Sequence, residues 1–304
     1  MATTKKAKQL AEAIELEGEL LDTVSYATYY CRMPLFTAFR LHNRGEEAVS
    51  DLTVTVAGST PLILPRTVQV SELPPESSVE VTVDKLLNPK YLAELEQPEP
   101  CTVTITVTGG KVKVCELSAS VSCLPIDFWG GLSGNAEMLA SLVRPRIADC
   151  QKILAEAGLQ LKTWGYSSEW SGYSGNDRNA VRGAAAAIFT AIHRQNVEAE
   201  PQQPMDGAVS AGAITKVICS KSATPLEMAL LYASCLEAAR LNPVVIVGKD
   251  SVAAGVWLYE SCFTATVQDD MQVIEKYIQD GVNNLAVFDV NDLFSHKNAS
   301  FTTS

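Results

Sequence analysis

Residues 219–260, CSKSATPLEMALLYASCLEAARLNPVVIVGKDSVAAGVWLYE, decide the fold. A polar turn precedes a helix and two strands follow it. Ser222 and Thr224 are N-cap candidates, and Pro225 suits the first helical position, where an absent N–H costs nothing. From Pro225 to Arg240 the apolar residues Leu226, Leu230, Leu231, Cys235, Leu236 and Ala239 recur mostly at three and four, with apolar neighbours filling in. The helix is therefore apolar over most of its surface and central to its domain. Asn242-Pro243 ends it. VVIVG (244–248) has the β-branched composition of a strand buried on both faces, and Ala253–Tyr259 supplies the next strand.

These segments resemble the transglutaminase-like (papain-related) fold, in which a nucleophile opens a helix and a base and an acid follow on successive strands. They are closer still to the N-terminal region of very large bacterial proteins that carry helicase and restriction-endonuclease-like domains further along. In that family the helix opens Gly-Thr-Cys-Leu-Asp-Leu, runs into Leu-Glu-Ala-Ala-Gly-Leu-Asn-Pro and is followed by a Gly-His-Ala-Phe-Val-Gly-Val-Trp-Leu strand. The matching segments here are Ala223–Met228, Leu236–Pro243 and Asp250–Leu258, held in register by Leu241-Asn242-Pro243 and by Gly255–Leu258. The departures matter most. Pro225 stands where the resemblance implies the nucleophilic cysteine and Ser251 where it implies the histidine base, leaving Asp289 in VFDVND at the acid position. Proline offers no nucleophile, and a serine hydroxyl does not titrate near neutrality. The resemblance thus implies a domain without thiol acyl-transfer chemistry.

Composition bounds the rest. A chain of 304 residues, 47% apolar and 19% charged, can bury a sizeable core and suggests two domains. The net charge of −11 argues against binding nucleic-acid phosphates. No early apolar run follows a basic start and no 18-residue apolar span occurs, so neither a signal peptide nor a membrane segment is expected. Eight scattered cysteines without a CxxC pair read as reduced thiols of a cytoplasmic protein, most of them among apolar neighbours, as at Cys219, Cys235 and Cys262.

Upstream, AKQLAEAIELEGELL in residues 1–20 has the composition of a marginal helix or frayed lead-in. From Leu21 to Ile126 the period changes to two. Strands are expected at Thr23–Tyr30, Leu35–His42, Leu52–Ala57, Thr67–Val70, Val79–Val83, Thr102–Thr108 and Lys111–Val121, separated by turn clusters at 43–45, 58–59, 73–75 and 109–110. That spacing predicts an antiparallel β-sandwich. HNRGEEAVSDLTVTV followed by LPPESSVEVTV also resembles bacterial immunoglobulin-like modules, and such a module precedes the transglutaminase-like segment in the family above. The expected architecture is multidomain: an immunoglobulin-like β-sandwich over 21–126, a helical packing segment over 127–161 and a transglutaminase-like α+β domain over 162–304.

Asp127–Gly134 reads as the boundary, with Phe128 and Trp129 plugging the seam. Residues 135–161 read as helical, with Pro145 a kink or a second start and Arg144 and Arg146 a small basic spot. Lys162–Arg178 is a Ser/Gly loop bearing Trp164, Trp170 and Tyr173; with Trp257 these rings are candidate walls for a ligand. Asn179–Gln195 is a helix capped by Asp177, with His193 on its surface near its end. Residues 212–219 fit a helix or a strand. Further on, 260–266 is expected to extend the sheet, 269–280 to form a helix and 284–290 a third strand carrying Asp289. In the resembled family the chain continues from a Ser-Phe such as Ser300-Phe301 into the helicase part, which suggests a fragment or a truncated product.

The chain lacks GxxxxGK[ST], GxSxG and HExxH, and none of His42, His193 and His296 shares a local motif with a cysteine; no metal, cofactor or ATPase chemistry is expected. The leading expectation is a non-catalytic module that positions or regulates a larger helicase-related protein through protein contacts, either with a separate partner or with C-terminal domains of the same polypeptide. One alternative is a cysteine acyl hydrolase or transferase with a shifted site, using Cys219 rather than Cys235 and carboxylates from Glu227, Asp250 or Asp289. The other is a small-ligand or peptide receptor that reuses the old cleft.

Overall fold

The computed structural model describes residues 10–211, 214–279 and 281–294. The chain is a mixed α+β protein with several separate sheets, and it divides after Ile126 into two compact units.

The first unit encloses one apolar core between a three-stranded and a five-stranded sheet. The smaller sheet, in the order β1-β3-β6, comprises β1 (Ile14–Leu20), β3 (Phe36–Asn43) and β6 (Ser78–Glu80). The larger comprises β2 (Thr23–Val24), β4 (Val49–Gly58), β5 (Arg66–Leu73), β7 (Glu99–Gly109) and β8 (Val112–Cys123), in the order β2-β8-β7-β4-β5. All neighbours are antiparallel except β2 and β8, which run parallel. Alternation sets the register: Val54, Val56, Val103, Ile105 and Val107 are buried, while Thr53, Thr55, Thr104 and Thr106 of the same strands turn outward. Asn43, which closes β3, is buried and donates its side-chain amide to the carbonyls of Glu47, Leu73 and Pro74, so a buried polar group is fully used.

Three local expectations give way here. Residues 10–13 form a helical turn, but 14–20 form β1 rather than a helical lead-in; residues 1–9 lie outside the described part. Glu15, Glu17 and Glu19 alternate with Ile14, Leu16 and Leu20, and pairing with β3 buries the apolar set. Tertiary pairing thus overrides the helix propensity of Glu and Leu. The strand expected over 23–30 stops at Val24, because Ser25 and Thr28 form a reciprocal capping box that starts α1 (Tyr26–Tyr30). The strand expected over 79–83 ends at Glu80. A short helix, α2 (Pro89–Glu94), capped by Asn88, precedes β7.

The second unit begins at Asp127 and includes the helical packing segment over 127–161. Trp129, on the two-residue strand β9 (Phe128–Trp129), is only 2% exposed and packs in this unit's own core. A 3-10 turn (Ala136–Leu142) leads to α3 (Ala148–Thr163), and α4 (Arg178–His193) starts at its Asp177 cap. Short strands β10 (Glu198–Ala199) and β11 (Val209–Ser210), the one-turn helix α5 (Val217–Ser220) and β12 (Ser222–Ala223) lead to the central helix α6 (Pro225–Ala238). From Met228 to Leu236 every residue of α6 is buried, which is why its sequence shows so little amphipathic contrast. α3, α4 and the sheet of β13 (Pro243–Val247), β14 (Val252–Trp257) and β15 (Leu285–Asp289) pack around it. Between β14 and β15, α7 (Met271–Ile278) is capped by Asp270.

The sheet is antiparallel with β14 in the centre. β13 is therefore an edge strand, and each of its residues is half-buried. Its apolar run reflects two cores, one below each face, that share the same short strand. Residues 260–266 do not extend the sheet. They fold back so that Phe263 packs edge-on against Trp257, with ring centroids 5.0 Å apart, and Tyr277 does the same at 4.9 Å.

Candidate functional site

The register of the second sheet locates the positions singled out by the sequence. Val252 pairs with Val247 and Ala253 with Asp289, so Ser251 and Asp289 share one end of the sheet. α6 reaches β13 through only residues 239–242 and packs on both β13 and β14. Tyr232, seven residues on from Pro225 along α6, meets Phe288, the neighbour of Asp289, edge-on with ring centroids 4.9 Å apart. The 3-10 turn Val290–Leu293, which begins directly after Asp289, packs against α6.

At each of these positions the polar groups take part in structural bonding. Pro225 is the first residue of α6, between the members of a capping box. Glu227 accepts from the Thr224 backbone N–H at 2.7 Å and from the Thr224 hydroxyl at 3.1 Å, while the Thr224 hydroxyl accepts from the Glu227 N–H at 3.3 Å. The Leu226 N–H donates to the Gln202 side chain at 3.0 Å. The orphan donors of the helix N-terminus, which could have formed an oxyanion site, are thus consumed by the chain itself. Asp289 is exposed and caps the following 3-10 turn, accepting from the N–H and the side-chain amide of Asn291, each at 2.9 Å. Ser251 is exposed, and its carbonyl accepts from the Gly248 N–H, closing the β13–β14 turn.

The cysteines divide sharply. Cys235 is fully buried mid-helix, and burial followed by its contact with Cys150 holds its thiol well above the ordinary range. Cys219 and Cys262 are exposed rather than packed among apolar neighbours. All eight cysteines are free thiols, and among the described residues no group of three or more His, Cys, Asp or Glu could hold a metal ion.

The four candidate ligand rings do not form one wall. Trp257 is 2% exposed and belongs to the core beneath α7. Trp164 is 43% exposed at the end of α3. Tyr173 ties the loop to the sheet: its hydroxyl donates to the Trp257 carbonyl at 2.8 Å and accepts from the Asn242 N–H at 2.9 Å. Gly172, at φ +59°, lets that loop approach; a Cβ there would lie 2.7 Å from the Arg240 carbonyl oxygen. Only Trp170 of the four lines the cavity between α3, α4 and the loop, together with Tyr166, Leu161, Val181 and Ala184. At about 80 Å³ that cavity is far below the several hundred Å³ of an ordinary small-molecule site.

The chain matches no family model, no curated protein and no solved structure.

Sequence reasoning passed over several residues that organise this region. Ser234, buried inside α6, accepts the Arg144 N–H at 2.9 Å and donates to the Leu230 carbonyl at 2.6 Å. Arg144 also reaches Asp127 at 2.8 Å, so the basic spot is an ion pair on one side. Asn242 joins Tyr173, Trp257 and the Ser261 carbonyl. None of these carries a readable local signal of the kind that the Thr224-x-x-Glu227 spacing gives. His193 is half-buried with a ring nitrogen that has no partner, stacked near Phe189, and not a plain surface histidine. His296 and Ser300-Phe301 lie outside the described residues. Among the described residues no helix is long and apolar enough to cross a membrane.

Proposed function

We propose that this chain is a non-catalytic accessory module, an immunoglobulin-like unit followed by a degenerate transglutaminase-like unit, which positions or regulates a larger helicase-related machine through protein contacts in the cytoplasm. The observation that carries the reading is the capping box around Pro225. The helix end that would present a nucleophile holds a proline, its free N–H groups are bonded to Thr224, Glu227 and Gln202, and Ser251 replaces a base. A site in that state binds no oxyanion and transfers no proton. Free thiols throughout fit a reducing compartment, and the acidic charge fits a protein partner better than nucleic acid.

The test is hydrolysis or transfer with a panel of fluorogenic acyl esters and amides, using the purified full chain. The expected result is the buffer rate, unaltered in Cys219→Ser and Asp289→Asn. Turnover that copurifies with the chain and disappears in either variant would refute the non-catalytic reading.

A further inference from the structure

By strand order, two strands longer than five residues end the sheets among the described residues, β1 in the smaller and β5 in the larger; the outer side of β8 is paired by β2 only at Ser122 and Cys123. They differ in what they offer a second copy of themselves. The charges of β1 are all carboxylates, Glu15, Glu17 and Glu19. Any self-pairing of β1 would therefore crowd like charges, one of the ordinary protections of an edge. β5, RTVQVSEL, reads differently. Paired antiparallel about Gln69, it sets Arg66 opposite Glu72, Thr67 opposite Ser71, Val68 opposite Val70 and Gln69 opposite itself, each unlike pair occurring twice.

The structure leaves this edge free to act. One side of β5 bonds β4 from Arg66 to Leu73, and no other backbone bond engages residues 66–72. Arg66 and Glu72 are both exposed and enter none of the ion pairs among the described residues. Val68 is half-buried and Val70 is buried, so an added strand would extend the apolar face, while Thr67 and Gln69 bond across to Thr55 and Thr53 on the outer face. An unpaired ladder whose own sequence is charge-complementary to its two-fold image is a template for itself.

We propose that β5 is a homodimer interface, in which two copies of the chain join their five-stranded sheets edge to edge about Gln69. The interface does not depend on whether the second unit is catalytic, so failure here and failure of the accessory-module reading are separable: this one is read by mass, that one by turnover.

Sedimentation of the full chain across a concentration series tests it. The expected result is a monomer–dimer equilibrium. Arg66→Glu and Glu72→Arg alone each set two like-charged pairs across the axis and weaken the dimer roughly tenfold or more, and the double swap Arg66→Glu/Glu72→Arg restores it. In a second measurement, Gln69→Cys under mild oxidation forms a covalent dimer well beyond the unsubstituted chain, because residues on the axis lie about 5 Å apart at Cβ. Both single variants keep the exposed strand's backbone, and circular dichroism checks their fold. A monomer at the highest soluble concentration overturns the proposal. So does a dimer indifferent to both charge reversals, or one that the double swap fails to rescue.

Discussion

Tyr173→Phe tests whether the aromatic loop is a structural tie or a ligand wall. The hydroxyl stands between the Trp257 carbonyl at the end of β14 and the Asn242 N–H just before β13, and the Trp257 N–H itself donates to the Asn242 carbonyl at 3.1 Å. The tyrosine therefore completes the end of the β13–β14 ladder. Phenylalanine keeps the ring and its packing but leaves one donor and one acceptor without a partner. Two neutral hydrogen bonds at about 1 kcal/mol each put the loss at about 2 kcal/mol. For a unit of this size that lowers the thermal midpoint by roughly 4–8 °C. Calorimetry of the full chain reads the shift. Hydrogen exchange localises it, since the Asn242 amide loses its acceptor and should exchange faster while the first unit's strands stay unchanged. A midpoint within about 1 °C of the parent, or an unaltered Asn242 amide, would refute the tie and return Tyr173 to the candidates for ligand contact.

Three further outcomes follow from the same geometry. Burial raises the Tyr173 hydroxyl above its ordinary 10.0, opposed in part by the Asn242 N–H, and burial holds Tyr232 well above 10.0. Both keep their protons longer folded than unfolded, so their contribution is whole below about pH 10 and is lost as pH rises through the folded values; melting midpoints should fall there, and less steeply in Tyr173→Phe. Under native conditions at pH 8 a thiol-reactive chromophore should label Cys31, Cys219 and Cys262 quickly, and the remaining five only after unfolding, because Cys101, Cys123, Cys150 and Cys235 are buried, burial raises Cys115, and Cys123 is pushed to about 12. More than three fast thiols would mean that a core opens readily. Glu227→Ala breaks the capping box and should cost about 1 kcal/mol by denaturant titration; no loss would mean that the carboxylate is not committed to the cap and is free for other roles.

Much of the second unit was legible locally. The start of α6 at Pro225, its stop before Pro243, the Asp177 cap of α4 and the strand carrying Asp289 all rest on signals within a few residues. The errors share one cause. Residues 14–20 were worth a helix by propensity and 260–266 an extension of the sheet, because neither sequence says which element lies beside it. The same holds for the rings. An aromatic loop advertises a binding wall, yet whether a ring faces solvent, as at Trp164, or a core, as at Trp257, depends on α7 and the 260–266 segment folding over it.

The sequence by itself determined the acidic balance, the period-two pattern of the first unit and the residue types at Pro225 and Ser251, which no packing can change. Tertiary structure decided which groups were spent on the fold. Glu227 serves the helix cap, Tyr173 the sheet end and Asp289 the next turn, because a buried or half-buried backbone polar group must find a partner and these side chains were the ones brought within reach.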